Sequence, residues 1–147
     1  MNIRKIDTHV YCGPRPKTKE DLDKILTLGV NHFVSLQTGA YEAIHDDPYE
    51  NAFISSWNFK CSDVTPPSKS KTMEIVRWLH LLQTKSDSVY FHCLHGRDRT
   101  GWVLAAYRII AQGWTEERAL KEYLGHGLHW AYRFWWPHIF KKRGFRK

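Results

Sequence analysis

The chain is 147 residues long, 42% hydrophobic and 14% aromatic, which suits one globular domain over 1–147 with a sizeable core and argues against a two-domain layout. Lys and Arg number 22 against 15 Asp and Glu, a formal charge of +7, so an anionic partner is favoured, with phosphate esters, nucleic acid and an acidic membrane surface all open. Three cysteines, Cys12, Cys61 and Cys93, exclude a closed disulfide framework. With no signal-like start after Met1 and no apolar run near the roughly 20 residues that span a bilayer, a soluble cytoplasmic protein without a transmembrane segment is expected.

Short strand-like runs alternate with amphipathic helices, and no repeat or low-complexity linker interrupts them, a rhythm that points to an α/β fold. Thr18 with Asp21 marks a helix start, Leu22, Ile25, Leu26 and Leu28 supply its apolar stripe, and Gly29 stands where it would end. A buried strand is expected over 31–36, a polar loop with Asp46, Asp47 and Pro48 over 38–51, and an aromatic strand over 53–59. Pro66 and Pro67 stop extended structure. A helix over 68–83 places Ile75, Val76, Leu79 and Leu82 on one face, and 88–91 returns as a strand. After a tight loop come a helix over 102–112, another from Thr115, Glu116 and Glu117 to 124, and an aromatic last helix over 128–140. Residues 141–147 form a basic tail.

The chemistry concentrates where the strand at 88–91 meets the helix at 102. There the chain reads His92-Cys93-Leu94-His95-Gly96-Arg97-Asp98-Arg99-Thr100-Gly101. A cysteine, five residues and an arginine close a loop whose backbone N–H groups can converge on one phosphate, while the next helix contributes its positive end. The same surroundings suit a thiolate, because a helix N-terminus and the cations Arg97 and Arg99 lower a thiol's pKa by one to several units from about 8.5. Arg99 is the phosphate clamp, since its planar fork donates two parallel hydrogen bonds to equatorial oxygens.

This run resembles the signature of the cysteine-dependent phosphatases of the protein tyrosine and dual-specificity superfamily: His-Cys, five residues, Arg, then Ser or Thr. The resemblance covers most of the chain and extends to the opening 11–16, similar to the first strand and turn of the small members. It implies a single α/β domain with a central, mostly parallel sheet flanked by helices. It also implies that Cys93 attacks phosphorus to form a phosphocysteine, that residues 94–99 and Arg99 above all bind the phosphoryl group, that His92 helps set the thiolate and that Thr100 eases its departure. No metal and no cofactor is implied. The general acid is an Asp on a loop about thirty residues before the nucleophile, which selects Asp63, 30 positions before Cys93 in Ser62-Asp63-Val64-Thr65-Pro66-Pro67. The rival is Asp98, because some relatives carry an Asp immediately before the arginine. Asp46, Asp47 and Asp87 have no comparable support.

Plainer readings stand beside these. His92, Cys93 and His95 are a candidate zinc set, but no paired ligand element elsewhere completes it. Asp63 is alternatively a helix cap or a solvated side chain. Cys61 is either an inert buried thiol or a partner for Cys93 in a protective disulfide, a device of some relatives. Trp130, Phe134, Trp135, Trp136 and Phe140 at near-helical spacing are core packing or a stacking platform for bases. The tail Lys141, Lys142, Arg143, Arg146 and Lys147 is a frayed end or a docking site for anions.

The charge of +7 exceeds what one phosphotyrosine needs. Arg97 occupies a position where phosphoinositide-directed relatives are basic, and Lys69 and Lys71 are candidate further contacts, so an inositol polyphosphate or phosphoinositide headgroup is the expected substrate. Asp98 departs from the glycine usual in that branch. A phosphoprotein substrate, as in the ordinary dual-specificity class, is the alternative. His95 with Gly96 matches the RNA 5′-triphosphatase branch, which keeps nucleic acid open, and a silent phosphate-binding module is the non-enzymatic reading.

Overall fold

A computed structural model describes residues 2–36, 55–59, 61, 66–84, 87–93 and 98–125. Its elements run β1 (Arg4–Asp7), β2 (Val10–Pro14), α1 (Lys19–Thr27), β3 (His32–Ser35), β4 (Ser55–Asn58), α2 (Lys69–Thr84), β5 (Val89–Cys93), α3 (Asp98–Ile110) and α4 (Glu116–Leu124). The strands form one sheet in the order β1-β2-β5-β3-β4. All neighbours are parallel except β1 and β2, which pair as an antiparallel hairpin with an irregularity between Lys5 and Asp7.

Local signals start and stop the helices as the sequence indicates. The Thr18 hydroxyl caps α1 by accepting from the Asp21 N–H (3.1 Å), and Gly29, at φ +86°, follows its end. Thr115 caps α4 in the same way through the Arg118 N–H (3.2 Å). Two elements depart from expectation. The hairpin strand β1 has no signature in the sequence, since only Ile6 of its four residues is buried. Helix α3 begins at Asp98, one turn earlier than the expected 102, because Asp98, Arg99 and Thr100 form its polar first turn. The expected loop over 38–51, aromatic helix over 128–140 and basic tail lie outside the described residues.

Strand β5 is buried along its whole length, and successive side chains alternate between two cores. Tyr90 joins Leu22, Ile25, Val30 and Phe33 beneath α1. Val89, Phe91 and Cys93 join the larger core with Ile75, Leu79, Trp102 and Tyr107, supplied by α2 and α3. Burial of this apolar area, at roughly 25 cal/mol per Å², is the main favourable contribution to the fold. The topology sends α1 over one face and α2 over the other before the chain returns to the sheet centre as β5. The crevice at the carboxyl ends of β2, β5 and β3 is therefore the switch point where open α/β sheets bind ligands.

Candidate active site

Cys93 is the last residue of β5 and Arg99 lies in the first turn of α3; both side chains are buried. Hydrogen bonds tie neighbouring segments into the same crevice. The Leu36 N–H donates to the His92 carbonyl (2.8 Å), and the Cys61 N–H donates to the Leu36 carbonyl (3.2 Å). Arg99 Nη1 in turn donates to the Cys61 carbonyl (3.3 Å). Arg99 is thus aimed by a backbone group 38 residues away.

Cys61 itself is not poised for chemistry. Its thiol donates to the Phe59 carbonyl (3.0 Å), and burial pushes its pKa up to about 11 against the pull of Lys71 and Arg99. All three cysteines are free and buried. Cys12 is driven up to about 12 by burial in the core.

His92 points the opposite way from Cys93. Its ring stacks on Tyr90 (5.8 Å between centroids, 29°) and meets Phe33 edge-on (6.5 Å). Burial holds its pKa down to about 3, so the ring is neutral at physiological pH. Nδ1 lies 3.3 Å from the Cys93 carbonyl oxygen. A carbonyl only accepts, so this bond places the ring proton on Nδ1 and fixes the peptide leaving Cys93. Because adjacent strand residues face opposite sides, His92 and Cys93 cannot close on one metal ion. Among the described residues no three His, Cys, Asp or Glu side chains gather as a ligand set.

Thr100 is fully buried, and its hydroxyl has no hydrogen-bond partner among the described residues. An unsatisfied buried hydroxyl costs about 1–3 kcal/mol unless something occupies it. One residue on, a Cβ at Gly101 would lie 2.6 Å from the Tyr123 ring, so the absent side chain lets α4 press against α3. Trp102 completes that contact edge-on with Tyr123 (6.3 Å) and donates from Nε1 to Thr72 of α2 (3.3 Å).

The structure therefore places Cys93, Arg99 and Thr100 at one end of β5, with the His92 side chain on the opposite face of the strand, Lys71 half-buried in the first turn of α2 and Lys69 exposed there. Asp63, Leu94, His95, Gly96 and Arg97 lie outside the described residues, as does the side chain of Asp98. Asp87 is placed at the far end of β5, against His32 (3.0 Å). Three features escape sequence reasoning: the Cys61 carbonyl, the Tyr90 hydroxyl, which donates to the Pro14 carbonyl (2.6 Å), and Arg15 at the end of β2. Only the Pro-Arg-Pro run at 14–16 offered a local signal.

Comparison with known proteins agrees with this arrangement. The family described as Swiss Army Knife protein, DSP-PTPase phosphatase domain, matches residues 5–130. The dual specificity protein phosphatase TpbA of Pseudomonas aeruginosa is 38% identical over 58 residues, 40% of this chain but only 26% of that protein, so the match spans about a quarter of the relative. Among solved structures, the active form of Tk-PTP is similar with a TM-score of 0.72 at 25% identity, over 85% of this chain and 84% of that one. The core catalytic domain of the PP-IP phosphatase SIW14 from S. cerevisiae shares the fold with a TM-score of 0.72 at 16% identity, over 86% and 76% of the two chains.

Proposed function

The chain belongs to the DSP-PTPase phosphatase domain family, and from that premise we propose that it is a phosphomonoesterase that works through a phosphocysteine at Cys93 and favours a polyanionic substrate, an inositol polyphosphate or phosphoinositide headgroup. Support comes from a buried Cys93 that ends β5 and a buried Arg99 in the first turn of α3, with five residues between them in sequence and both set at the switch point of the sheet. Residues 1–147 act as one phosphatase domain in this reading.

The Cys93 thiolate attacks phosphorus; the P–S bond forms as the P–O ester bond breaks, and the leaving oxygen takes a proton from Asp63. The Arg99 fork holds the equatorial oxygens and the charge that spreads over them. Residues 94–98 contribute loop N–H groups to the same oxygens. Water then attacks the phosphocysteine, Asp63 takes its proton, the P–S bond breaks and inorganic phosphate leaves. The Thr100 hydroxyl, unpartnered among the described residues, donates to the thiolate as it departs. His92 is a positioning residue that fixes the Cys93 peptide and, being neutral, leaves the charge of the pocket to the arginines. Asp98 remains the rival acid.

The charge of +7 and half-buried Lys71 near the site favour a substrate with several phosphates, and a neighbour of the same fold is a PP-IP phosphatase. The second reading is a dual-specificity protein phosphatase, favoured by the relative of that name. Phosphate release in EDTA from inositol hexakisphosphate and from a phosphotyrosine peptide, at matched concentrations and across pH, separates them. Faster release from the inositol compound is the expected result. Preference for the peptide returns the protein to the dual-specificity class, and silence on both brings RNA 5′ ends and the binding-module reading forward.

A further inference from the structure

Resting on the phosphatase reading above, we propose that Arg15 binds a second anionic group of the substrate beside the phosphoryl group at Cys93 and Arg99, and thereby sets the preference for polyanions. Strands β2 and β5 run parallel with Pro14 opposite Cys93. Arg15 is therefore the first residue beyond that pair, at the edge of the sheet from which the loop after Cys93 leaves. Neighbouring strands lie about 4.8 Å apart, so the two chain segments emerge side by side.

The backbone that carries Arg15 is held from three directions. The Tyr90 hydroxyl donates to the Pro14 carbonyl (2.6 Å), and it reaches there because position 13 is glycine: a Cβ would lie 2.5 Å from that hydroxyl oxygen. Pro14 has its own φ fixed, and Pro16, which is buried, restricts Arg15 to extended conformations. The backbone at Arg15 is consequently presented without the ordering cost that a loose loop bears on binding.

Its charge has no other use in view. Arg15 is half-buried, and among the described residues no carboxylate pairs with it and no acceptor takes its protons, whereas Arg108 of α3 is matched by Glu122 (3.1 Å). A partly desolvated guanidinium without a counter-ion is unfavourable, and an incoming anion relieves it. Arg15 and Arg99 both act electrostatically on the buried His92 ring, the residue before Cys93, so both guanidinium groups lie within reach of this end of β5. A single phosphoryl group engages one planar fork bidentately; the other is left for a further phosphate or carboxylate.

The test is calorimetric titration of the full chain with orthophosphate and with tripolyphosphate, at fixed ionic strength, for wild type, Arg15→Ala, Arg15→Lys and the exposed control Lys121→Ala. Arg15→Ala is expected to weaken tripolyphosphate about tenfold and to leave orthophosphate within twofold, the size expected for one charged hydrogen-bonding group. Arg15→Lys recovers part of the loss, and Lys121→Ala stays within twofold of wild type for both ligands. An equal loss for both anions, no loss, or the same loss in Lys121→Ala overturns the proposal. Retained orthophosphate binding also certifies that each variant is folded. The underlying phosphatase reading fails separately, by absent turnover of p-nitrophenyl phosphate in the wild type.

Discussion

At the N-terminal end of β5 every polar group that can be traced has a partner. The Asp87 carboxylate accepts from His32 Nε2 (3.0 Å) and Asn31 Nδ2 (3.4 Å), Asn31 Oδ1 accepts from the Ser88 N–H (3.1 Å), and Ser88 Oγ meets His9 Nδ1 (3.3 Å). At the C-terminal end, five residues away, and among the described residues, Thr100 Oγ1 is buried without a partner, Arg15 has no carboxylate, and Arg99 donates to the Cys61 carbonyl alone. One strand thus carries a finished end and an open one. Open polar groups cost stability, and a bound ligand is one way to complete them. In the proposed reading the finished end belongs to folding and the open end to binding and chemistry.

Substitutions at the two ends should therefore change different quantities. The largest effect is expected at the open end, where Cys93→Ser removes the nucleophile: turnover of p-nitrophenyl phosphate should fall on the order of 10⁴-fold while tripolyphosphate still binds, as read by steady-state kinetics and calorimetry. Turnover within tenfold of wild type would place the nucleophile elsewhere. Asp63→Asn should slow the reaction by roughly 10²-fold on poor alkyl leaving groups and much less on activated aryl phosphates, which need no proton. Equal loss on both removes Asp63 from the acid role and promotes Asp98.

At the finished end the expected effect is thermodynamic. Asp87→Ala removes an acceptor from both His32 and Asn31 and should lower unfolding stability by about 1–3 kcal/mol in denaturant titration, with kcat/KM within twofold of wild type. A loss of activity larger than the loss of folded protein would show that the two ends communicate, and would break the division.

What could be read from the sequence follows the distance over which each feature is determined. Cys93 to Thr100 is contiguous, so the family signature was legible; the caps at Thr18 and Thr115 act within three residues, so the helix starts were too. Strand β1 was not legible, because it is held by residues a hundred positions away: Tyr107 donates to Asp7 (2.8 Å) and Arg108 to the Ile6 carbonyl (3.0 Å). The insertion of β5 between β2 and β3, and with it the meeting of Pro14 and Cys93, is likewise a long-range outcome. The first turn of α3 was misread for another reason. Asp98, Arg99 and Thr100 have the polarity of a loop, and their helical state depends on the packing of Gly101 and Trp102 against Tyr123.

Between the two ends, His92 makes the buried strand sensitive to acid. A histidine ordinarily titrates near 6.5, whereas burial keeps His92 neutral to about 3. Between those values the unfolded chain holds a proton that the folded chain lacks. Stability from this residue is thus complete above pH 6.5 and is lost as pH falls toward 3, by at most about 1.4 kcal/mol per pH unit. The chain has nine histidines, so the measurement is the difference in stability slope between wild type and His92→Asn over pH 6.5 to 4. Parallel slopes would mean that His92 is protonated in the native protein.

The smallest effect is the sharpest test of the comparison, because it runs against the usual direction. Thr100→Val keeps the shape of a fully buried side chain and deletes a hydroxyl that has no partner among the described residues. Removing an unsatisfied polar atom of the same volume should raise unfolding stability by about 1 kcal/mol. The same change takes away the donor proposed to receive the departing Cys93 thiolate, so breakdown of the phosphocysteine should slow about tenfold and the intermediate should accumulate in a pre-steady-state burst. A stabler enzyme that stalls at its intermediate means that the open end trades stability for turnover. A less stable one, with turnover unchanged, would show that the Thr100 hydroxyl supports the fold and that the open end is closed in solution.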